Sequence, residues 1–153
     1  KAKHYEKLAQ NPPLFSGASN LIRAGASQWP LAIASGALYS EVVPVLGQAG
    51  LLKYFSAVVT AEMVKSGKPD PEPFQAALNR LNEGRPMSIL PDACLVVEDS
   101  IAGVTAGRTA GMRVIAVTNS VPRASLGNAD RVVDSLEEIA DVGKLREWFE
   151  SLS

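Results

Sequence analysis

The chain has 153 residues, of which 46% are apolar and 20% charged, so it can bury a core of about one domain and is not a disordered polymer. Its 15 basic and 16 acidic side chains leave a net charge of −1, which excludes the broad basic face that binds nucleic acid through counterion release. No apolar run approaches the roughly 18 residues of a membrane span. The single cysteine, Cys94, cannot build a disulfide framework, so a reducing, cytoplasmic setting is expected.

The opening KAKHYEKLAQ reads as the tail of an amphipathic helix, with Tyr5, Leu8 and Ala9 on one side and no capping residue before it. The chain starts at lysine, and the expectation is that it begins inside a longer gene product. After the Asn11-Pro12-Pro13 break, a short helix is predicted over Ser19–Gln28. Continuous apolar runs follow at Pro30–Ser35, Ala57–Thr60, Cys94–Asp99, Arg113–Asn119 and Arg131–Asp134. Runs of four to six small and β-branched residues suit strands buried on both faces. Helical stretches lie between and after them, at Leu38–Ala49, Pro71–Asn82, Ser100–Ala110 and Leu136–Ser151, with a long polar loop over Asn82–Asp92. Strands alternating with helices predict parallel βαβ units and a doubly wound α/β sheet.

Ligands in such sheets bind outside the carboxyl ends of the strands. The residues there are Ser35-Gly36, Thr60, Glu98-Asp99-Ser100 and Thr118-Asn119, and Lys68 lies in the connection after Thr60. A hydroxyl, a lysine and an acidic pair can therefore meet at one edge. Ser35 with the amides of Gly36 and Ala37 could hold a phosphate near a helix N-terminus; alternatively Ser35 only caps that helix. Lys68, in the stiff Gly-Lys-Pro-Asp-Pro segment, could bind phosphate as a point charge, or be a solvated surface lysine. Two adjacent carboxylates ending a buried strand repel and resist desolvation, a conflict that a hard cation such as Mg²⁺ relieves; the alternative is that Asp99 or Ser100 caps the next helix. In SIAGVTAGRTAGM, close packing against a strand accounts for some of the glycines, and Gly111 reads as a helix C-cap. Cys94, Trp29 and Trp148 read as packing residues. With His4 as the only histidine, no Ser/His/Asp or Cys/His arrangement is available.

Three motifs in order, LAIASGA at Leu31–Ala37, SGKPDPEPF at Ser66–Phe74 and LVVEDSIAGVTAGRTAGM at Leu95–Met112, resemble the haloacid dehalogenase superfamily, most closely its β-phosphoglucomutase-like branch. The resemblance implies a Rossmann-like core over residues 13–153, preceded at 1–12 by the last helix of a helical cap. It implies that Ser35, with the Gly36 and Ala37 amides, binds the transferring phosphoryl group, that Lys68 bridges this group and the nucleophile, and that Asp99 ligates Mg²⁺ with Glu98 as a second ligand or holding the water shell. The implied partner is a small phosphorylated metabolite, not a nucleic acid or a membrane. The implied reaction is phosphate hydrolysis through an aspartyl-phosphate, with a phosphomutase or an inactive interaction protein as alternatives.

The family's first motif, Asp-x-Asp at the end of an N-terminal strand, has no counterpart here. That strand lies between those carrying Ser35 and Glu98-Asp99, so an upstream segment of the same protein is expected to complete the sheet and supply the nucleophile. Two unpaired strand edges should mark the gap, and the chain alone should be inactive. A signalling receiver also gathers acids, a hydroxyl and a lysine at one edge, but there the acids come first and the lysine last.

Overall fold

A computed structural model describes residues 14–152; the expected cap helix at 1–12 and His4 lie outside them. Five short strands form in the five apolar runs: β1 (Ala32–Ala34), β2 (Ala57–Val59), β3 (Leu95–Glu98), β4 (Arg113–Val117) and β5 (Arg131–Val133). The α-helices are α1 (Ala18–Ala26), α2 (Tyr39–Gln48), α3 (Glu72–Asn82), α4 (Ile101–Thr109) and α5 (Val142–Glu150). All strand pairs are parallel, with Ala32 opposite Ala57, Leu95 opposite Arg113, and Ile115 opposite Arg131.

Alternation along β4 shows why the sheet is covered on both sides. Val114 and Ala116 pack with Leu78, Val96, Val104 and Leu126, on the side of α3 and α4. Ile115 and Val117 point the other way, into a cluster with Val133, Leu136, Ile139 and Leu145, joined by Leu21 of α1, Trp29 and Trp148. Side chains two residues apart share a face and neighbours do not, so a run apolar at every position requires helices on both faces.

The sheet is in two pieces. β1 pairs with β2, and β3, β4 and β5 form a separate three-stranded group. No described strand pairs with the free edge of β1 or of β3, as the resemblance implies for a chain without the family's first strand. All three residues of β1 are only half-buried, and Val97, in the middle of β3, is 39% exposed while its β4 partner Ile115 is fully buried.

One helix prediction needs correction. Leu136–Ser151 is not continuous: Leu136–Ile139 is a 3₁₀ turn, and α5 starts afresh at Val142. Each piece has its own cap, because Ser135 Oγ accepts from the Glu137 amide (3.2 Å) and Asp141 Oδ1 from the Lys144 amide (3.1 Å). A side-chain acceptor for an otherwise unpaired first-turn amide starts a helix locally. The loop over residues 82–92 is pinned by Asn82, whose amide group exchanges two hydrogen bonds with the Ile89 backbone (2.7 and 3.0 Å).

Candidate active site

The first component is the turn after β1. The Ser35 amide donates to Val59 O (2.9 Å), extending the ladder by one residue, and Ser35 Oγ accepts from the Ala37 amide (3.1 Å). Ser35 is therefore not the cap of α2, which starts four residues later at Tyr39. The first amides of α2 are already taken: Leu38 donates to Glu41 Oε2 and Tyr39 to Glu62 Oε1, both at 2.8 Å. Glu62 also accepts from Thr60 Oγ1. The Thr60 hydroxyl, and after it the Tyr39 amide, hold the Glu62 carboxyl below the ordinary glutamate range. The turn thus leaves the Gly36 backbone, but not the α2 end, open beside the Ser35 hydroxyl, while the Ala37 amide, expected to join them as a phosphate donor, is taken up by Ser35 Oγ. A Cβ on Gly36 would touch nothing, so the backbone there is open to close approach.

Lys68 is the second component. Its loop is braced by Glu72, whose carboxylate accepts from the Lys65 amide (2.8 Å) and the Ser66 amide (3.2 Å). Asp70 closes the turn by donating from its amide to Gly67 O and accepting at Oδ1 from the Glu72 amide. From this frame Lys68 Nζ donates to Ala34 O, the last carbonyl of β1, at 2.9 Å and to Glu98 Oε2 at 3.3 Å. It also lies 4.9 Å from the centre of the Phe74 ring. The side chain is only 17% exposed, unlike a solvated surface lysine, and one ammonium spans both pieces of the sheet.

The acidic pair is the third. Glu98 is 10% exposed in its side chain. Burial pushes its carboxyl above the usual range, partly offset by the Lys68 charge. Its carboxylate lies directly on the first turn of α4: a Cβ on Gly103 would sit 1.4 Å from Glu98 Oε2 and 2.0 Å from Cδ. Gly103 therefore makes room for an acid. Gly107 serves packing as expected, its missing Cβ falling 2.8 Å from Val114 and 3.3 Å from Val96. Gly111 (φ +82°) ends the helix, with Met112 donating to Gly107 O. The cap of α4 is Ser100, which accepts from the Gly103 amide at 3.0 Å. Asp99 is thus free of capping and accepts instead from Ser120 Oγ, beyond the end of β4.

All the predicted residues lie at the carboxyl edge. Lys68 touches β1 and Glu98, and Ser35, Gly36 and Lys68 line one cavity of about 270 Å³ together with Lys65 and Gly67. Ser120, Glu62, Lys65 and the role of Gly103 are not evident from the sequence motifs. The strand-end rule points to the stretch after β4 but marks Thr118 and Asn119 equally. A broader depression of about 460 Å³ at the opposite, amino end of β1 and β2 is lined by Arg80 and Arg85; Arg85 Nε there donates to the Leu81 carbonyl in the last turn of α3, a helix-capping role.

The donor set suits a small hard cation. Two adjacent carboxylates face the edge, and no cluster of three or more His, Cys, Asp or Glu occurs among the described residues. Mg²⁺ commonly takes one or two protein carboxylates and fills its octahedron with water and phosphate oxygens.

Residues 1–111 match the family model described as haloacid dehalogenase-like hydrolase. Among curated proteins, the chain is 36% identical over 135 residues to a bifunctional riboflavin kinase/FMN phosphatase of Arabidopsis thaliana, covering 86% of this chain and 33% of that protein. It is 42% identical over 81 residues to hexitol phosphatase A of Escherichia coli, covering 53% and 35%. The chain thus spans about a third of the length of these relatives. Among solved structures, β-phosphoglucomutase of Clostridium difficile superimposes with a TM-score of 0.76 at 26% identity, over 91% of this chain and 57% of that one. With the family model covering 111 of its 153 residues and the motif residues gathered at one sheet edge, the chain belongs to the haloacid dehalogenase-like hydrolases.

Proposed function

We propose that the intact protein is a Mg²⁺-dependent phosphohydrolase of a small phosphorylated metabolite, acting through an aspartyl-phosphate whose aspartate comes from outside this chain. One observation carries the reading: the Lys68 ammonium, fixed between Ala34 O and Glu98, borders the same cavity as Ser35 and Gly36. The phosphatases among the relatives support it.

Phosphoryl transfer asks a protein mainly to position groups and stabilise charge. Ser35 Oγ and the Gly36 backbone would orient the phosphoryl oxygens. Lys68, with two of its three donors already used, would direct the third at an oxygen of the group in flight and hold its charge beside the attacking carboxylate. Asp99, and Glu98 behind it, would hold Mg²⁺, which when bound supplies further neutralisation of phosphoryl charge. A strand entering between β1 and β3 would satisfy both free edges and bring its aspartate next to Lys68. The likeness to a β-phosphoglucomutase supports a second reading, in which a substrate hydroxyl rather than water resolves the intermediate. The charge balance fits a small-molecule partner, and no described helix is long and apolar enough to cross a membrane.

The test is phosphate release by the intact gene product from p-nitrophenyl phosphate and a panel of sugar phosphates. The proposal expects turnover with Mg²⁺ that EDTA abolishes; no metal-dependent turnover on any of them overturns it.

A further inference from the structure

The turn that carries Ser35 and Gly36 is tied to the corner after β2 by three hydrogen bonds. Ser35 donates its amide to Val59 O (2.9 Å), Ala61 donates its amide to Ala37 O (3.0 Å), and Tyr39 donates its amide to Glu62 Oε1 (2.8 Å). Only the last of these uses a side chain. That side chain is anchored from its own element, because Glu62 Oε1 also accepts from the hydroxyl of Thr60, which is fully buried at the end of β2. Glu62 is exposed and forms no ion pair among the described residues. On charge alone, a carboxylate bonded to a turn that is to hold a phosphoryl group works against binding. Its geometry offers a different use. By holding the Tyr39 amide, Glu62 fixes the start of α2 and with it the course of the backbone from Ala37 to Tyr39. The Ala37 amide then meets Ser35 Oγ at 3.1 Å. That amide occupies a lone pair of the hydroxyl and leaves the hydroxyl proton free to be donated.

We propose that Glu62 is a positioning residue for phosphoryl binding: from the corner after β2 it holds the start of α2, so that the Ala37 amide sets the Ser35 hydroxyl toward the phosphoryl group. The inference rests on the reading of Ser35 as a phosphoryl ligand and adds the group that orients it. Binding groups act at full strength only when neighbouring residues hold them in place. Removing the Glu62 carboxylate should therefore weaken phosphate binding, opposite in sign to the effect of removing a negative charge from the neighbourhood of an anion.

The test uses the intact protein, with inorganic phosphate as the calorimetric probe and hydrogen exchange at the Ala37 amide as a readout that needs no ligand. Glu62→Ala should weaken phosphate about tenfold and quicken exchange at Ala37. Glu62→Gln, whose amide oxygen still accepts from Tyr39 and Thr60, should match wild type in both. In a Ser35→Ala background, Glu62→Ala should change phosphate affinity no further, because the two act as one unit. Unchanged or tighter phosphate binding in Glu62→Ala overturns the proposal, as does unchanged exchange at Ala37. A Glu62→Ala loss that persists in full without the Ser35 hydroxyl also overturns it, since Glu62 would then act by another route. If Ser35→Ala alone leaves phosphate affinity unchanged, the reading of Ser35 as a phosphoryl ligand fails first and takes the proposal with it; in the other failures that reading stands.

Discussion

Lys68 and Glu98 join two sheet pieces that share no backbone hydrogen bond: Lys68 Nζ reaches Glu98 Oε2 at 3.3 Å while also holding Ala34 O, on the far side of the break, at 2.9 Å. Replacing Lys68 by Met removes the ammonium and leaves a largely buried carboxylate without its partner. Removing one partner of such a pair costs more than the pair's net worth, here about 1–3 kcal/mol because the pair is not fully dry. The intact Lys68→Met protein should lose that much stability in urea denaturation and at least a hundredfold in kcat. Wild-type turnover in the variant would remove Lys68 from the chemistry.

Gly103→Ala separates a helix-propensity argument from a site argument. In an ordinary helix interior the change would stabilise by about 1 kcal/mol. Here the new Cβ would fall 1.4 Å from Glu98 Oε2 and 2.3 Å from its Cγ, so the whole side chain must leave its place on α4. The expected outcome is a loss of about 1–3 kcal/mol together with a large loss of activity. A gain in melting temperature with activity intact would show that the Glu98 position does not matter.

Ser120→Ala tests how Asp99 is held. Ser120 Oγ donates to Asp99 Oδ2, and partners of this kind typically account for ten- to a hundredfold in metal affinity. Titration calorimetry with Mg²⁺ on the intact protein should show affinity about tenfold weaker, with stability changed little because Ser120 is exposed. Equal affinity would make the contact incidental.

Cys94 should be a slow nucleophile. Burial, and secondarily the Asp92 charge, pushes its thiol up to about 11. At pH 8 its thiolate fraction is then about a hundredfold below that of an ordinary thiol titrating at 9.0. Iodoacetamide should label native protein slowly, with a rate rising through pH 10 and quickening sharply on denaturation. Rapid labelling of native protein at pH 8 would contradict the burial of Cys94.

Much of the fold was legible because doubly buried strands leave a strong local mark. VVED and RVIAV admit few alternatives, and the break between β1 and β3 was expected from the family resemblance, whose first strand has no counterpart in this sequence. The split of the last helix was missed although its signal, Asp141 as an N-cap, is local; the apolar periodicity running from Leu136 through Leu145 conceals it. The site residues that escaped are those whose roles depend on distant partners. Ser120 meets Asp99 across 21 positions, and Tyr39 meets Glu62 across 23. Gly103 was visible as a helix glycine, but only the folded chain shows that a carboxylate occupies the space of its side chain.

The central claim is that Ser35, Lys68 and the Glu98-Asp99 pair form one centre for a phosphoryl group and its cation. Crystals of the intact protein soaked with Mg²⁺ and tungstate test it most directly. The account predicts a tetrahedral anion between Ser35 and Lys68, with the cation on Asp99. An empty carboxyl edge at saturating concentrations of both would contradict it.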